Sequence, residues 1–423
     1  MRTSASVSSS DRRPRLRSKP LNHPVVIVGG GPGGSVCAAR LRQLGRSVLV
    51  LEKSAFPRFR LGESLLPQTM HTLAAIGALE KVQARFIEKH GAQFHEDATG
   101  KSARFDFADA FDARIVHAYQ VPRDEFDALL LDHARALGAE VRERWEVTRV
   151  LRDGERAVGV EARAPDGAVY EIAASFVVDA TGREALQAHA GRATERIAGL
   201  DKSAFYAHYG NVVREEGRPA GDIHIPLFHG GWFWIIPFLD GRTSVGAVVS
   251  SAWLKSRAPG ETPDDLLRRA ISESPATTRL LAGSEQLWPG RAAADFSFRV
   301  RNMSGPGWLS VGDAGGFIDP LFSTGVHLAT YGGFTAAEAI CAPEGLSRWE
   351  THLRSGAELF VSAVQAFYAG TLTRYMFTDN PRTHLRRAIT SLLSGDVFRD
   401  ERWTRDMRTR LAEMNARPAP LPL

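Results

Sequence analysis

A strand, a glycine turn, a helix and a second strand follow one another near the start of this chain, and little else constrains its fold as tightly. Val25-Val-Ile-Val28 is an apolar run with strand character, followed at once by Gly29-Gly-Gly31-Pro-Gly-Gly34 and a helical stretch from Ser35 to about Gly45. The spacing Gly29-x-Gly31-x-x-Gly34 permits a tight turn, close approach of backbone to a pyrophosphate, and close packing of helix on strand. A second strand, Ser47-Val-Leu-Val-Leu51, ends on Glu52, where a carboxylate can accept from a ribose 2′-OH. A glycine pattern alone is weak. With both strands, the helix and Glu52, it predicts an α/β, Rossmann-like unit that binds a dinucleotide. Cys37 and the alanines beside it are expected on the packed face of the helix.

The net charge of +5 would suggest nucleic-acid binding if it were spread along the chain. It is not: within the first twenty residues six arginines and lysines stand against Asp11 alone, which accounts for the whole excess. Residues 1–22 are therefore expected to be a disordered basic tail, and no nucleic-acid partner is expected. The tail has no apolar core of a secretory signal, and no later run reaches the roughly eighteen apolar residues of a membrane span. The two cysteines, Cys37 and Cys341, have no metal-ligand or Cys-x-x-Cys spacing and are expected as reduced thiols in the core of a cytoplasmic protein. No Cys/His metal site is expected.

A second organising stretch is Gly312-Asp-Ala-Gly-Gly-Phe-Ile-Asp-Pro-Leu-Phe-Ser-Thr-Gly325. It follows the apolar run Trp308–Val311 and precedes a helical pattern from about Val326, so backbone N–H groups at the helix start make an anion site. Clusters of Gly, Pro, Ser and Asp are also ordinary turn material. From Ser203 to about Ala293 the pattern alternates, as in an antiparallel sheet. Within it Trp232 and Trp234, two apart in a strand, share one face; that face belongs either to a core or to a site. From Ser347 to about Arg410 a helical stripe carries Phe360, Phe367, Tyr368, Tyr375, Phe377, Phe398 and Trp403, which more often means helix core than pocket wall.

Taken together, these stretches resemble the flavin-dependent halogenases of the FAD-dependent monooxygenase superfamily, over about Val25 to Leu411. Gly312-Asp313-Ala314 is similar to the second FAD motif of glutathione-reductase-type flavoproteins, in which the Asp holds the ribityl chain. Phe317-x-x-Pro320-x-x-Ser323-x-Gly325 and Trp232-x-Trp234-x-Ile236-Pro237 resemble the two halogenase motifs, and both are complete. Gly62-Glu63-Ser64 resembles an element shared with FAD monooxygenases and geranylgeranyl reductases, with Gly62 close to the flavin ring and Ser64 opening a helix as N-cap; Glu63 could equally be a first-turn carboxylate complementing the helix dipole. Arg123 is similar to a flavin-contacting arginine, although it could be an ordinary first-turn residue, and Arg58 joins the cofactor-binding candidates. Thr181-Gly182-Arg183, after the strand Phe176–Asp179, resembles the turn beneath the adenosine half.

Lys89, one of only seven lysines, lies in Phe86-x-x-Lys89-x-Gly91-Ala92, which is similar to the segment bearing the essential lysine of phenol and pyrrole halogenases. The chemistry asks for a desolvated amine that can hydrogen-bond hypohalous acid or carry the halogen, which arginine cannot do. The plain alternative is a surface lysine beside Glu88.

The resemblance implies a glutathione-reductase-type FAD domain (23–202 with 294–345), an inserted substrate-domain sheet (203–293) and a C-terminal helical region (346–423). It implies catalytic Lys89, Glu63 and Ser323, and halide held near Thr324 and Gly325. The cofactor side would include Gly29, Gly31, Gly34, Glu52, Ser64, Asp313 and Pro320. Trp232, Trp234, Pro237 and Phe322 would separate substrate from flavin. Cofactor and co-reactants would be reduced FAD (FADH2) from a separate NAD(P)H flavin reductase, O2, and chloride or bromide. Tryptophan halogenases carry Glu where this chain has Phe322, so a phenol or pyrrole, free or on an acyl or peptidyl carrier protein, is the expected substrate of what would be a secondary-metabolism enzyme. Two rivals remain: a single-component NAD(P)H-dependent FAD hydroxylase, and a non-catalytic flavoprotein scaffold for a carrier protein.

Overall fold

Val25–Val28 runs through the middle of a six-stranded sheet in a computed structural model that describes residues 23–186, 194–294, 297–342, 345–378 and 383–416. The tail expected at 1–22 and the Pro-rich end at 417–423 lie outside the described residues. Across the sheet the order is Ser304–Gly305, Trp308–Ser310, Phe176–Asp179, Val25–Val28, Val48–Glu52 and Glu140–Glu143, parallel throughout except for the first pair. Alternate residues serve the two faces. Val25, Ile27, Val48 and Val50 pack with helices Pro32–Gln43 and Arg123–Ala136, whereas Val26, Val28, Leu49 and Leu51 pack against Val160 and Ile172 of a three-stranded antiparallel sheet. This is the mixed α/β, Rossmann-like architecture expected.

Two helices that begin at the carboxyl end of this sheet are locked together. A Cβ on Gly333, in the helix Thr324–Cys341, would stand 2.3 Å from the Gly33 carbonyl oxygen in the helix Pro32–Gln43. Only glycine lets the two backbones approach so closely.

The second large sheet has eight strands, and it reaches beyond the expected limits of 203 and 293. Lys202–Gly210, Thr243–Ser250, Gly231–Pro237 and Ile223–Phe228 are joined by Gly91–Glu96 and Lys101–Asp106 from much earlier in the chain. Gly91–Glu96 pairs in parallel with Ile223–Phe228, a non-local contact that alternation alone does not reveal. Trp232, Trp234 and Ile236 face helices Gly345–Tyr368, Thr383–Leu393 and Arg402–Ala416, while Phe233 and Ile235 face helix Pro263–Ser272. Burying each such side chain contributes about 1.5–3 kcal/mol, which is why both faces of this strand are covered.

Several local expectations are corrected. The helix after Gly62-Glu63-Ser64 starts at Pro67, not Ser64: Leu66 is the extended N-cap and proline, with no N–H to lose, takes the first helical position. The first helix likewise begins at Pro32 rather than Ser35. Cys37 is buried but Cys341, at the last residue of its helix, is exposed. The C-terminal stripe is divided among four helices. Phe360, Phe367, Phe377 and Trp403 are core, whereas Tyr375 is exposed. Among the described residues no helix is long and apolar enough to cross a membrane.

Candidate active site

The glycine turn leaves no room for side chains where backbone must pass. A Cβ on Gly34 would meet the Gly29 oxygen at 2.0 Å, and Gly29, at φ +105°, abuts the Ala180 oxygen. Gly31 is different: its nearest neighbour would be Arg58 Nη2 at 3.4 Å, so that side of the turn is open. The buried Glu52 carboxylate accepts from the backbone N–H of Gly30 at 2.7 Å and of Ser54 at 2.9 Å, tying the turn to the end of the second strand.

Asp127 was missed as a site residue, yet it anchors both expected arginines. It accepts two hydrogen bonds from Arg123, at 2.7 and 3.0 Å, and one from Arg58 at 2.9 Å. Its spacing of four residues from Arg123 on one helix was the available signal. Burial works against the Arg123 charge, but Asp127, Asp313 and Glu63 outweigh it and raise its pKa. Arg123 also donates to the carbonyls of Leu61 and Gly62, so it fixes the Gly62-Glu63-Ser64 element from below.

That element holds Lys89. The lysine ends the strand Ile87–Lys89 and is 2% exposed, which removes the surface alternative. Its Nζ donates to Ser64 Oγ at 2.9 Å and Leu65 O at 3.1 Å, and lies 5.2 Å from the Phe107 ring centroid. Burial lowers its pKa to about 7, with the Asp222 carboxylate opposing the shift. Glu63 turns the other way. One of its oxygens is 3.0 Å from His208 Nε2, the other has no hydrogen-bond partner among the described residues, and both side chains are buried. His208, on the strand Lys202–Gly210, sits against the rings of Phe59, Phe238 and Trp288 and had no sequence signal.

The stretch from Gly312 to Gly325 enters the same region. Ser323 precedes the helix at φ +56°, a left-handed conformation that a side chain rarely adopts, and Thr324 behind it is buried. Such strain persists only where surroundings impose it, and it sets the direction of the first helical N–H groups. A Cβ on Gly325 would be 3.2 Å from the Phe317 ring. Phe322 is buried edge-on to Phe367, with ring centroids 6.0 Å apart. Asp313 is half-buried, and no hydrogen bond is made to its carboxylate among the described residues. Burial pushes its pKa up to about 6, against Arg123 and Arg183. Pro320 follows Asp319, which burial pushes up to about 7 against the Leu321 N–H, Tyr368 and Lys202. On the large sheet, Trp232 Nε1 donates to Tyr368 Oη at 2.9 Å and Trp234 Nε1 to Ser244 Oγ at 3.1 Å, while Pro237 closes their strand.

The model of the FAD binding domain family matches residues 22–335. The 1H-pyrrole-2-carbonyl-(peptidyl-carrier protein) chlorinase of Pseudomonas fluorescens is 30% identical over 90% of this chain and 91% of its own length. The solved myxobacterial chondrochloren halogenase, an FAD-dependent halogenase, is 32% identical with a TM-score of 0.78, covering 93% of this chain and 97% of that one. The chain belongs to the flavin-dependent halogenases. A tryptophan 2-halogenase of Chondromyces crocatus is also similar, 31% identical over 82% of this chain, which spans 66% of that protein. As a halogenase the chain is an oxidoreductase that uses FAD and halide. Its residues fit the flavin cofactor: Gly31 is open on one side, the Asp313 carboxylate accepts no hydrogen bond among the described residues, and Arg58 Nε is buried without a hydrogen-bond partner among them.

Proposed function

We propose that this halogenase installs chlorine or bromine on an electron-rich aromatic, a phenol or a pyrrole, free or tethered to a carrier protein. Reduced FAD, supplied by a separate NAD(P)H flavin reductase, would provide the electrons with which O2 oxidises halide to hypohalous acid. The remaining work falls to the chain. Backbone N–H groups at Thr324 and Gly325, aimed by the strained Ser323, hold the halide. Asp313, Glu52 and the glycine turn hold the cofactor together with Arg58, Arg123, Ser64 and Pro320. The wall of Trp232, Trp234 and Pro237 keeps the aromatic from the flavin.

Lys89 is the observation that carries the reading. A buried amine with a pKa of about 7 is substantially neutral at physiological pH, so its lone pair can hydrogen-bond hypohalous acid or accept the halogen. In the second case water leaves as the N–X bond forms. The halogen then passes to the ring carbon, which loses its proton, and the amine is restored. Glu63 and Ser323 complete the catalytic group. Phe322 leaves no carboxylate beside Ser323 for an indole cation, which favours phenol or pyrrole, and the similarity to the carrier-protein pyrrole chlorinase favours a tethered pyrrole. The similarity to a tryptophan 2-halogenase keeps indoles in the test. The FAD-binding part is taken as 23–202 with 294–345, less the strands at 91–106 that pair into the large sheet. The protein is expected to work in the cytoplasm.

Mass spectrometry of products tests this. Purified protein is given FAD, a flavin reductase, NADH, air and chloride or bromide, with phenols, pyrroles and indoles, free and carrier-loaded. A halogen isotope pattern that disappears with Lys89→Ala is the expected result. Hydroxylated product, or rapid NADH consumption without the reductase, would favour the single-component hydroxylase instead.

A further inference from the structure

Tyr368 ends the helix Gly345–Tyr368 and touches both halogenase motifs, although it belongs to neither. Its hydroxyl takes the Trp232 indole N–H at 2.9 Å and lies 3.1 and 3.3 Å from the two oxygens of Asp319. The direction of this chain is forced. An indole N–H can only donate, so the tyrosine oxygen accepts and its single proton goes to Asp319. Asp319 Oδ1 also accepts the Leu321 N–H at 2.9 Å, and Lys202 Nζ lies 4.1 Å from the centroid of the Tyr368 ring. Trp232 is 2% exposed and Asp319 1%. Among the described residues Tyr368 is the hydrogen-bond partner of the Trp232 indole and the one side chain donating to Asp319.

Elsewhere the contact between the tryptophan face and the C-terminal helices is apolar and non-directional. The chain of two hydrogen bonds adds a fixed direction in a low-dielectric interior. It joins the sheet strand Gly231–Pro237 to the loop four residues before the strained Ser323.

We propose that Tyr368 is a positioning residue for halogenation, a hydrogen-bonded strut that fixes the tryptophan wall against the Asp319–Gly325 loop and so keeps oxidised halogen on its path to the substrate. The proposal rests on the halogenase reading above. It concerns the fraction of oxidising equivalents delivered to the substrate, not the rate at which reduced flavin is consumed.

Tyr368→Phe removes the hydroxyl and nothing else. Its expected effect is a fall of about five- to thirty-fold in halogenated product per reduced flavin consumed, the size of one to two net hydrogen bonds. Flavin oxidation and FAD affinity should stay near wild type, while a soluble phenolic scavenger captures the escaping halogen. Asp319→Asn is the conservative variant: Oδ1 accepts the Leu321 N–H at 2.9 Å and lies 3.3 Å from Tyr368 Oη, so the amide oxygen can keep both donors while the amide nitrogen, in the place of Oδ2, donates to the hydroxyl, and coupling should fall less than in Tyr368→Phe. Asp319→Leu should behave like Tyr368→Phe.

A second readout needs neither cofactor nor substrate. The chain has eight tryptophans, so nitrogen-labelled protein gives up to eight indole N–H signals, and Trp232→Phe identifies one of them. In Tyr368→Phe that signal should move upfield and exchange faster with solvent. An unmoved signal, or a moved signal with wild-type coupling, overturns the proposal. Hydroxylation by the wild type would remove the halogenase reading, whereas the indole signal would still decide whether the strut exists.

Discussion

Replacing Lys89 with methionine should change how stability depends on pH, by an amount the structure sets. Methionine is unbranched and fills similar space without a charge. Burial lowers the lysine from an ordinary value of 10.5 to about 7. Below about pH 7 the amine is protonated in both folded and unfolded chains, and the cost of burying the charge is constant. Above 10.5 it is neutral in both, and the cost is gone. Between these limits the unfolded chain binds more protons, so wild-type stability rises with pH relative to Lys89→Met. The slope approaches ~1.4 kcal/mol per pH unit, giving a change of about 2.5 kcal/mol in the difference between the two proteins from pH 7.5 to 9.5. Urea unfolding of both proteins at matched FAD loading measures it, and taking the difference removes other titrating groups. A difference that stays flat over that range would mean that Lys89 keeps an ordinary proton affinity. It would then be an ammonium at neutral pH, with no lone pair to offer a halogen.

Two other perturbations test the cofactor turn and the buried acid. Gly34→Ala forces a Cβ to within 2.0 Å of the Gly29 oxygen; overpacking of this kind should weaken FAD binding about ten- to hundred-fold, read by fluorescence titration of apoprotein. His208→Phe leaves Glu63 without the one side-chain partner it has among the described residues and should cost about 1.5–3 kcal/mol in urea unfolding, with His208→Gln recovering part of the loss because it keeps a donor.

The parts legible in the sequence were those whose physics is local. The turn at Gly29–Gly34, the ends of its flanking strands and the helix after Arg123 follow from short-range sterics and periodicity, and the fold class follows from them. The alternation around Trp232 correctly put both tryptophans on one face. What escaped depends on distant pairing. Gly91–Glu96 looks like any short strand until Ile223–Phe228 lies beside it. Glu63 gives no hint that its partner is His208, and Tyr368 none that it bridges Trp232 and Asp319. Leu66-Pro67 carries a stronger helix-start signal than Ser64, and the serine, outside the helix, accepts from Lys89. Burial, which separates a useful lysine from a decorative one, could not be read at Lys89 from its neighbours in sequence.

The contact of Gly33 with Gly333 has a consequence for how such a chain can change over time. Gly33 and Gly333 stand 300 residues apart in the sequence, yet their backbones are pinned together without intervening side chains. Everything between them, including the large sheet, is an excursion that leaves this clasp and returns to it. Because that excursion also carries Glu52, Arg58, Lys89, Arg123, Asp127 and Ser323, it can be lengthened or reshaped to suit a new aromatic only along stretches that leave those side chains in place, such as the turns between strands of the large sheet.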